Sequence, residues 1–156
     1  MAPPPFSAFH DAHRPVVVRV LAASLPPDDV EDAVQETFVK ALRAYPRLRE
    51  GGDLRAWVLT IARRVAIDAG RARRRRPEPV ARPEPPPADG TPQPRDPALW
   101  AAVRALPPRQ REAVALHYVG DLPYEDVGRA MGCSAEAARR SAFEGMRRLR
   151  EVWDGR

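Results

Sequence analysis

Hydrophobic positions along this chain recur mostly with the three-to-four-residue spacing of an amphipathic helix. In DDVEDAVQETFVKAL (28–42) and just beyond, Val30, Val34, Phe38, Ala41 and Tyr45 follow a 3.6-residue period. That stripe predicts a helix over 29–45, opening after Pro26-Pro27 with an aspartate as N-cap. The stretch LRAWVLTIARRVAIDAGRARRRR (54–76) repeats the pattern with Leu54, Val58, Ile61, Val65 and Ala69. It follows a Gly-Gly turn, and Asp53 is its natural N-cap. An earlier helix is expected over 6–22, strained or broken around Pro15. The run VVVRVL (16–21) has strand propensity, but nothing nearby offers a hairpin partner.

The second half is also helical. Asp96-Pro97 reads as an N-cap followed by proline at the first helical position. Leu99, Val103 and Leu106 then give an apolar face that Pro107-Pro108 ends. Further helices are expected over 108–119, 123–131 and 135–153. A short helix, the turn Gly132-Cys133-Ser134 and a longer helix with a serine N-cap form a helix-turn-helix pattern. Between the halves, residues 77–97 hold nine of the 19 prolines and almost no aliphatic bulk. Such a segment buries too little to offset its ordering entropy and is expected to be an extended, flexible linker. The expected architecture is all-α: a helical domain over 1–76, a Pro-rich flexible linker over 77–97, and a second small helical domain over 98–156.

Charge adds a second layer. The first block has fourteen cations against nine acids, the linker two against four, and the last block ten against eight. Basicity therefore concentrates at RARRRR (71–76). Only Lys40 is lysine and asparagine is absent, so arginine abundance follows the chain's overall Ala/Arg/Pro usage, and placement carries the information. The lone Cys133 and the scattered His10, His13 and His117 make neither a disulfide nor a metal cluster. No run reaches the ~18 apolar residues that span a bilayer, and MAPPPFSAF lacks a signal peptide's regions. The expectation is a cytoplasmic protein without membrane insertion, metal or cofactor. It is not an enzyme on this reading, since no nucleophile–base pair or phosphate loop is present.

Three helix faces are candidate binding surfaces. On 135–153, Ala138, Ala142, Gly145, Leu149 and Val152 face the domain, and Glu136, Arg140, Phe143 and Arg147 gather opposite, flanked by Arg139 and Arg150. Arginines early in a second helix are where base edges and phosphates are met. Glu144 lies close to this basic face, where it would repel phosphate. On 54–76, Arg63, Arg64 and Arg71 lie across from the core stripe, with Trp57, Thr60 and Ile67 interleaved. Cations beside flat and aliphatic groups suit unstacked bases, although Trp57 suits a core equally well. On 28–42, Asp32, Gln35, Glu36 and Val39 share an outward face, with Asp28 and Asp29 at its start. The helix dipole accounts for first-turn acids but not for Glu36 or an exposed Val39, which fit a protein interface.

These motifs resemble bacterial RNA polymerase sigma factors of the extracytoplasmic-function group. DDVEDAVQETFVKALRAYPRL with LRAWVLTIARRVAIDAGRARRRR is similar to their region 2. LPPRQREAVALHYVGDLPYEDVGRAMGCSAEAARRSAFEGMRRLR is similar to region 4. The resemblance implies core polymerase binding by Asp29, Glu31, Asp32, Gln35 and Glu36, with Val39 beside them. It implies −10 contacts from Trp57, Arg63, Arg64 and Arg71, helped by the loop PRLREGGD (46–53). It implies −35 contacts by the helix-turn-helix through Ser134, Glu136, Arg139, Arg140, Phe143 and Arg147. Core RNA polymerase and promoter DNA are the implied partners, and an anti-sigma factor is a further one the group admits. The chain departs from the group with Arg63-Arg64 in place of Arg-Asn, Ala138 for a common valine and Glu144 for an arginine. Two other readings stand beside it: a stand-alone helix-turn-helix regulator, which leaves the acidic 28–42 face unexplained, and a degenerate relative that sequesters a partner.

Overall fold

The computed structural model describes residues 2–75 and 96–154. Most of the proline-rich segment, residues 77–95, and Arg76 lie outside the described residues. Seven α-helices are described, with no strand among the described residues: α1 (Phe6–Ser24), α2 (Pro27–Ala44), α3 (Leu54–Arg75), α4 (Pro97–Arg104), α5 (Pro108–Val114), α6 (Tyr124–Met131) and α7 (Ala135–Asp154). The first three pack on one another as an amino-terminal module, and α4–α7 build the carboxy-terminal one.

The stripe expected on α2 is buried at Val30, Val34, Phe38 and Ala41, and Tyr45 is half-buried. Thr37 is the one polar residue enclosed with them, and its hydroxyl donates to the Ala33 carbonyl at 2.7 Å. The cap of α2 differs from expectation: Pro26 is the N-cap, Pro27 opens the helix, and Asp28 and Asp29 sit in its first turn. Those aspartates face the dipole rather than capping by side chain. Asp53 does cap α3, accepting from the amides of Arg55 at 3.0 Å and Ala56 at 3.3 Å. Asp96 caps α4 through Ala98 and Leu99.

Helix α1 corrects one expectation and bears out another, that residues 16–21 are helical. It runs unbroken through Pro15, despite an interior proline's loss of one backbone bond at a cost of about 3 kcal/mol. Val16, Val17, Val18, Val20 and Leu21 are all nearly inaccessible. Each buried aliphatic side chain contributes about 1.5–3 kcal/mol, so their sum outweighs the proline. The valine run therefore belongs to a helix covered on several sides, since α1 packs against α2 and α3 and also against α4 and the segment after α5.

The two modules consequently share one continuous apolar core. At Gly120, an added Cβ would lie 2.9 Å from Leu59 of α3 and 3.3 Å from Val20 of α1, so the carboxy-terminal module touches the amino-terminal one almost backbone to side chain. Contact this close explains why Leu59, outside the expected stripe of α3, is fully buried. Helix α3 is covered on two flanks.

In the carboxy-terminal module the expected helix 108–119 ends α-helical geometry at Val114 and continues as one π-helical stretch, Ala115–Val119. Gly132 ends α6 in the left-handed region (φ 71°), and a Cβ on Gly128 would meet the Cys133 carbonyl at 2.7 Å. The helix-turn-helix turn folds directly onto the backbone of α6. Ser134 then caps α7, its hydroxyl accepting from the Ala137 amide at 3.1 Å.

Candidate polymerase and nucleic-acid interfaces

On α7 the geometry matches the expected division. Ala138, Ala142, Gly145 and Leu149 are buried, whereas Glu136, Arg139, Arg140, Phe143 and Arg147 are exposed, Phe143 at 64%. Ser134 is exposed at the head of the same face. Two details differ. Val152 is 51% exposed, because α7 runs past the body it packs on. Glu144 turns away from the basic face and accepts from the Gln110 amide of α5 at 3.4 Å, so its charge is spent inside the module.

Sequence reasoning missed the group that supports this face. Tyr124, first residue of α6, stacks on His117 with centroids 3.9 Å apart and rings 13° from parallel. The His117 Nδ1 donates to the Leu122 carbonyl at 2.8 Å. The guanidinium of Arg139 lies over the Tyr124 ring, 5.2 Å from its centroid. Burial, followed by the neighbouring Tyr118 hydroxyl, pushes the Tyr124 phenol above its ordinary pKa. The dense aromatics of LHYVGDLPYEDV beside the helix-turn-helix were the available signal.

On α3 the four expected DNA residues do not form one open surface. Arg64 and Arg71 are exposed, Arg64 standing 3.8 Å from Asp68 one turn away. Trp57 joins an aromatic cluster, 5.7 Å from Phe9 and 6.2 Å from Tyr45 by centroid, so it serves the core in this arrangement. Arg63 is engaged with the other module. Its Nε donates to Glu112 of α5 at 3.1 Å, its second terminal nitrogen approaches the same oxygen at 3.1 Å, and its first donates to the Ala130 carbonyl at 3.0 Å. Only 18% of the Arg63 side chain and 13% of the Glu112 side chain remain accessible.

On α2 the expected polymerase face is open. Glu31, Asp32, Gln35, Glu36 and Val39 are exposed, Val39 at 46%. Glu36 pairs with Lys40 at 3.2 Å, and Glu31 lies 3.8 Å from Arg14 of α1. Asp29 is partly withdrawn, accepting from Arg73 of α3 at 3.0 Å. Leu42, not anticipated, is also more than half exposed on this helix. Among the described residues, no group of three or more His, Cys, Asp or Glu could hold a metal, and no helix is long and apolar enough to cross a membrane.

Sigma-70 region 2 matches residues 9–76, and Sigma-70 region 4 matches residues 97–149. The chain belongs to the RNA polymerase sigma factors of the extracytoplasmic-function group. Sigma factor CarQ of Myxococcus xanthus is 35% identical over 127 residues, covering 78% of this chain and 73% of that protein. The probable ECF sigma factor SigI of Mycobacterium tuberculosis is 28% identical over 163 residues, and the chain spans only 55% of its length. Among solved structures, the sigma factor RpoE in complex with the anti-sigma factor NepR from Bartonella quintana superposes with a TM-score of 0.76 at 25% identity, over 96% of both chains. As a sigma factor the protein acts with RNA polymerase on promoter DNA, and the stand-alone regulator is not favoured.

Proposed function

We propose that this sigma factor divides its work among the three faces just described. The outward face of α2, with Asp29, Glu31, Asp32, Gln35, Glu36 and Val39, docks on core polymerase. Helix α3, through Trp57, Arg63, Arg64 and Arg71, and the loop before it take the −10 element as it opens. The helix-turn-helix reads the −35 element in the major groove through Ser134, Glu136, Arg139, Arg140, Phe143 and Arg147. The boundaries that go with this division are 1–76, 77–97 and 98–156.

The observation that carries the reading is the segregation of charge between exposed faces. Asp32 and Glu36 flank an exposed Val39 on α2, whereas Arg139, Arg140 and Arg147 surround an exposed Phe143 on α7. A chain meeting only DNA has no use for the first face, and a chain meeting only protein has none for the second. The factor contributes no bond-making chemistry of its own. It works in the cytoplasm by stabilising the melted promoter, binding the opened state better than the closed one. An anti-sigma protein covering these faces is a fitting regulator, as the complex of RpoE with NepR illustrates for that relative.

Run-off transcription with purified core polymerase and a genomic fragment library tests the assignment. The wild-type chain gives discrete start sites. Asp32→Arg, or Gln35→Ala with Glu36→Ala, abolishes them by weakening core binding while the circular dichroism spectrum stays helical. Undiminished transcription by those variants removes α2 from the polymerase interface.

A further inference from the structure

We infer that Glu136 makes this factor select a cytosine in the −35 element, beside a guanine taken by Arg140. The inference rests on the helix-turn-helix being the −35 reader, as proposed above, and adds the bases that its face calls for. Glu136, Arg140, Phe143 and Arg147 stand at i, i+4, i+7 and i+11 along α7 and form one exposed ridge. Their neighbours sort the ridge further. Arg139 is drawn to one side over the Tyr124 ring, 5.2 Å from its centroid, and Glu144 is turned inward, accepting from the Gln110 amide at 3.4 Å. Among the described residues, Glu136 is thus the one exposed carboxylate in the first three turns of α7.

Local structure accounts for this anion only in part. The helix dipole favours an acid in the first turn, which helps the fold, but a carboxylate on a DNA-reading face repels every phosphate it approaches. Capping does not require it, since the Ser134 hydroxyl already accepts from the Ala137 amide at 3.1 Å. Arg140 does not hold it either. Spacing of i, i+4 closes Glu36 on Lys40 at 3.2 Å and Arg64 on Asp68 at 3.8 Å, whereas Glu136 and Arg140 form no ion pair among the described residues. Both groups are presented outward, side by side on the ridge.

An ionised carboxylate only accepts hydrogen bonds, so in the major groove its partners are the amino groups of cytosine N4 and adenine N6. The two are not equivalent. Adenine N6 lies between its own N7 and the O4 of the paired thymine, both acceptors, so a carboxylate there is repelled from either side. Cytosine N4 has the guanine O6 on one side and only a C–H on the other. Cytosine is therefore the base that the Glu136 carboxylate fits. A guanidinium fits guanine O6 and N7 together, which assigns guanine to Arg140. Four residues of helix advance about 6 Å, or roughly two base-pair steps of 3.4 Å, so the two bases lie within about two steps of each other.

The test is run-off transcription by core polymerase with the full chain, as wild type, Glu136→Gln, Glu136→Ala and Arg140→Ala. The template is a mapped promoter whose −35 segment is randomised and linked to a transcribed barcode, so that sequencing the transcripts gives the base preference at each position. Thermal melts establish that each variant folds. Wild type is expected to favour cytosine roughly tenfold at one position, the discrimination of a good base contact. Glu136→Ala is expected to lose that preference alone, and Glu136→Gln to move it to adenine, because a carboxamide pairs with N6 and N7 together. Arg140→Ala should lose a guanine preference within about two steps of it. A cytosine preference that survives both Glu136 substitutions overturns the inference. A uniform gain across all sequences in Glu136→Ala also overturns it, being the mark of an anion that merely repels phosphate. If Arg140→Ala loses its guanine while the Glu136 variants change nothing, the helix-turn-helix still reads the −35 element and only the role of Glu136 falls. If no substitution on α7 changes any preference, the assignment of α7 to the −35 element falls with it.

Discussion

Helices α3 and α7 carry similar sets of arginines, yet those arginines meet opposite surroundings. On α7, Arg139, Arg140 and Arg147 project into solvent from a helix buried along one side only. On α3, Arg63 lies between two flanks that are both covered, one by its own module and one by α5 and α6 of the other. The same residue type at the same helical spacing is thus open to solvent in one place and part of an internal ion pair in the other. What separates them is the neighbour rather than the sequence of the helix itself. A cation on an amphipathic helix reports a solvent face only when nothing else in the chain has a carboxylate placed to reach it.

That contrast can be broken most violently at the turn that builds the α7 face. Gly128→Val places a side chain against the Cys133 carbonyl, where even a Cβ would lie at 2.7 Å. The expected loss is about 3 kcal/mol, lowering the melting temperature by about 10 °C in differential scanning calorimetry and removing −35 binding. Next in size, Arg140→Ala should weaken binding of the free chain to a −35 duplex by about 1–3 kcal/mol in an anisotropy titration, as for the loss of a base contact. Arg63→Ala should leave that duplex affinity unchanged, and an equal loss would erase the distinction between the two helices. Smaller still, Tyr124→Ala removes the ring beneath Arg139 and should cost about 0.5–1 kcal/mol of −35 affinity, with Tyr124→Phe retaining most of it. Finally, Val152→Ser should change stability by less than about 0.5 kcal/mol by urea unfolding, since α7 has already left the core at that residue.

The two helices also explain how far the fold could be read beforehand. On α2 and along most of α7 a single 3.6-residue stripe meets neighbours within its own module, so Val30, Val34, Phe38, Ala138, Ala142 and Leu149 are buried where their spacing places them. On α3 Val58 and Val65 of the stripe are buried and Leu54, Ile61 and Ala69 half-buried, but Leu59, outside it, is closed off by Gly120 some sixty positions later in the chain. Periodicity within one segment carries no information about such a neighbour. The same limit misplaced Val152, whose spacing continues a stripe after the body it packs on has ended, and Glu144, which angle alone put beside the arginines. Caps were more legible: Asp53, Asp96 and Ser134 bond amides two or three residues on, a local chemistry that needs no partner module. Trp57 was ambiguous for a physical reason, since an indole suits a base stack and an aromatic cluster about equally.

The placement of α1 has a consequence for how the chain is made. Its flank at Val20 is finished only by Gly120, which the ribosome adds a hundred residues later. At about 5–20 residues per second, that surface waits roughly 5–20 s for its cover. During this interval the newborn amino-terminal module carries an uncovered apolar flank at Val20 and Leu59.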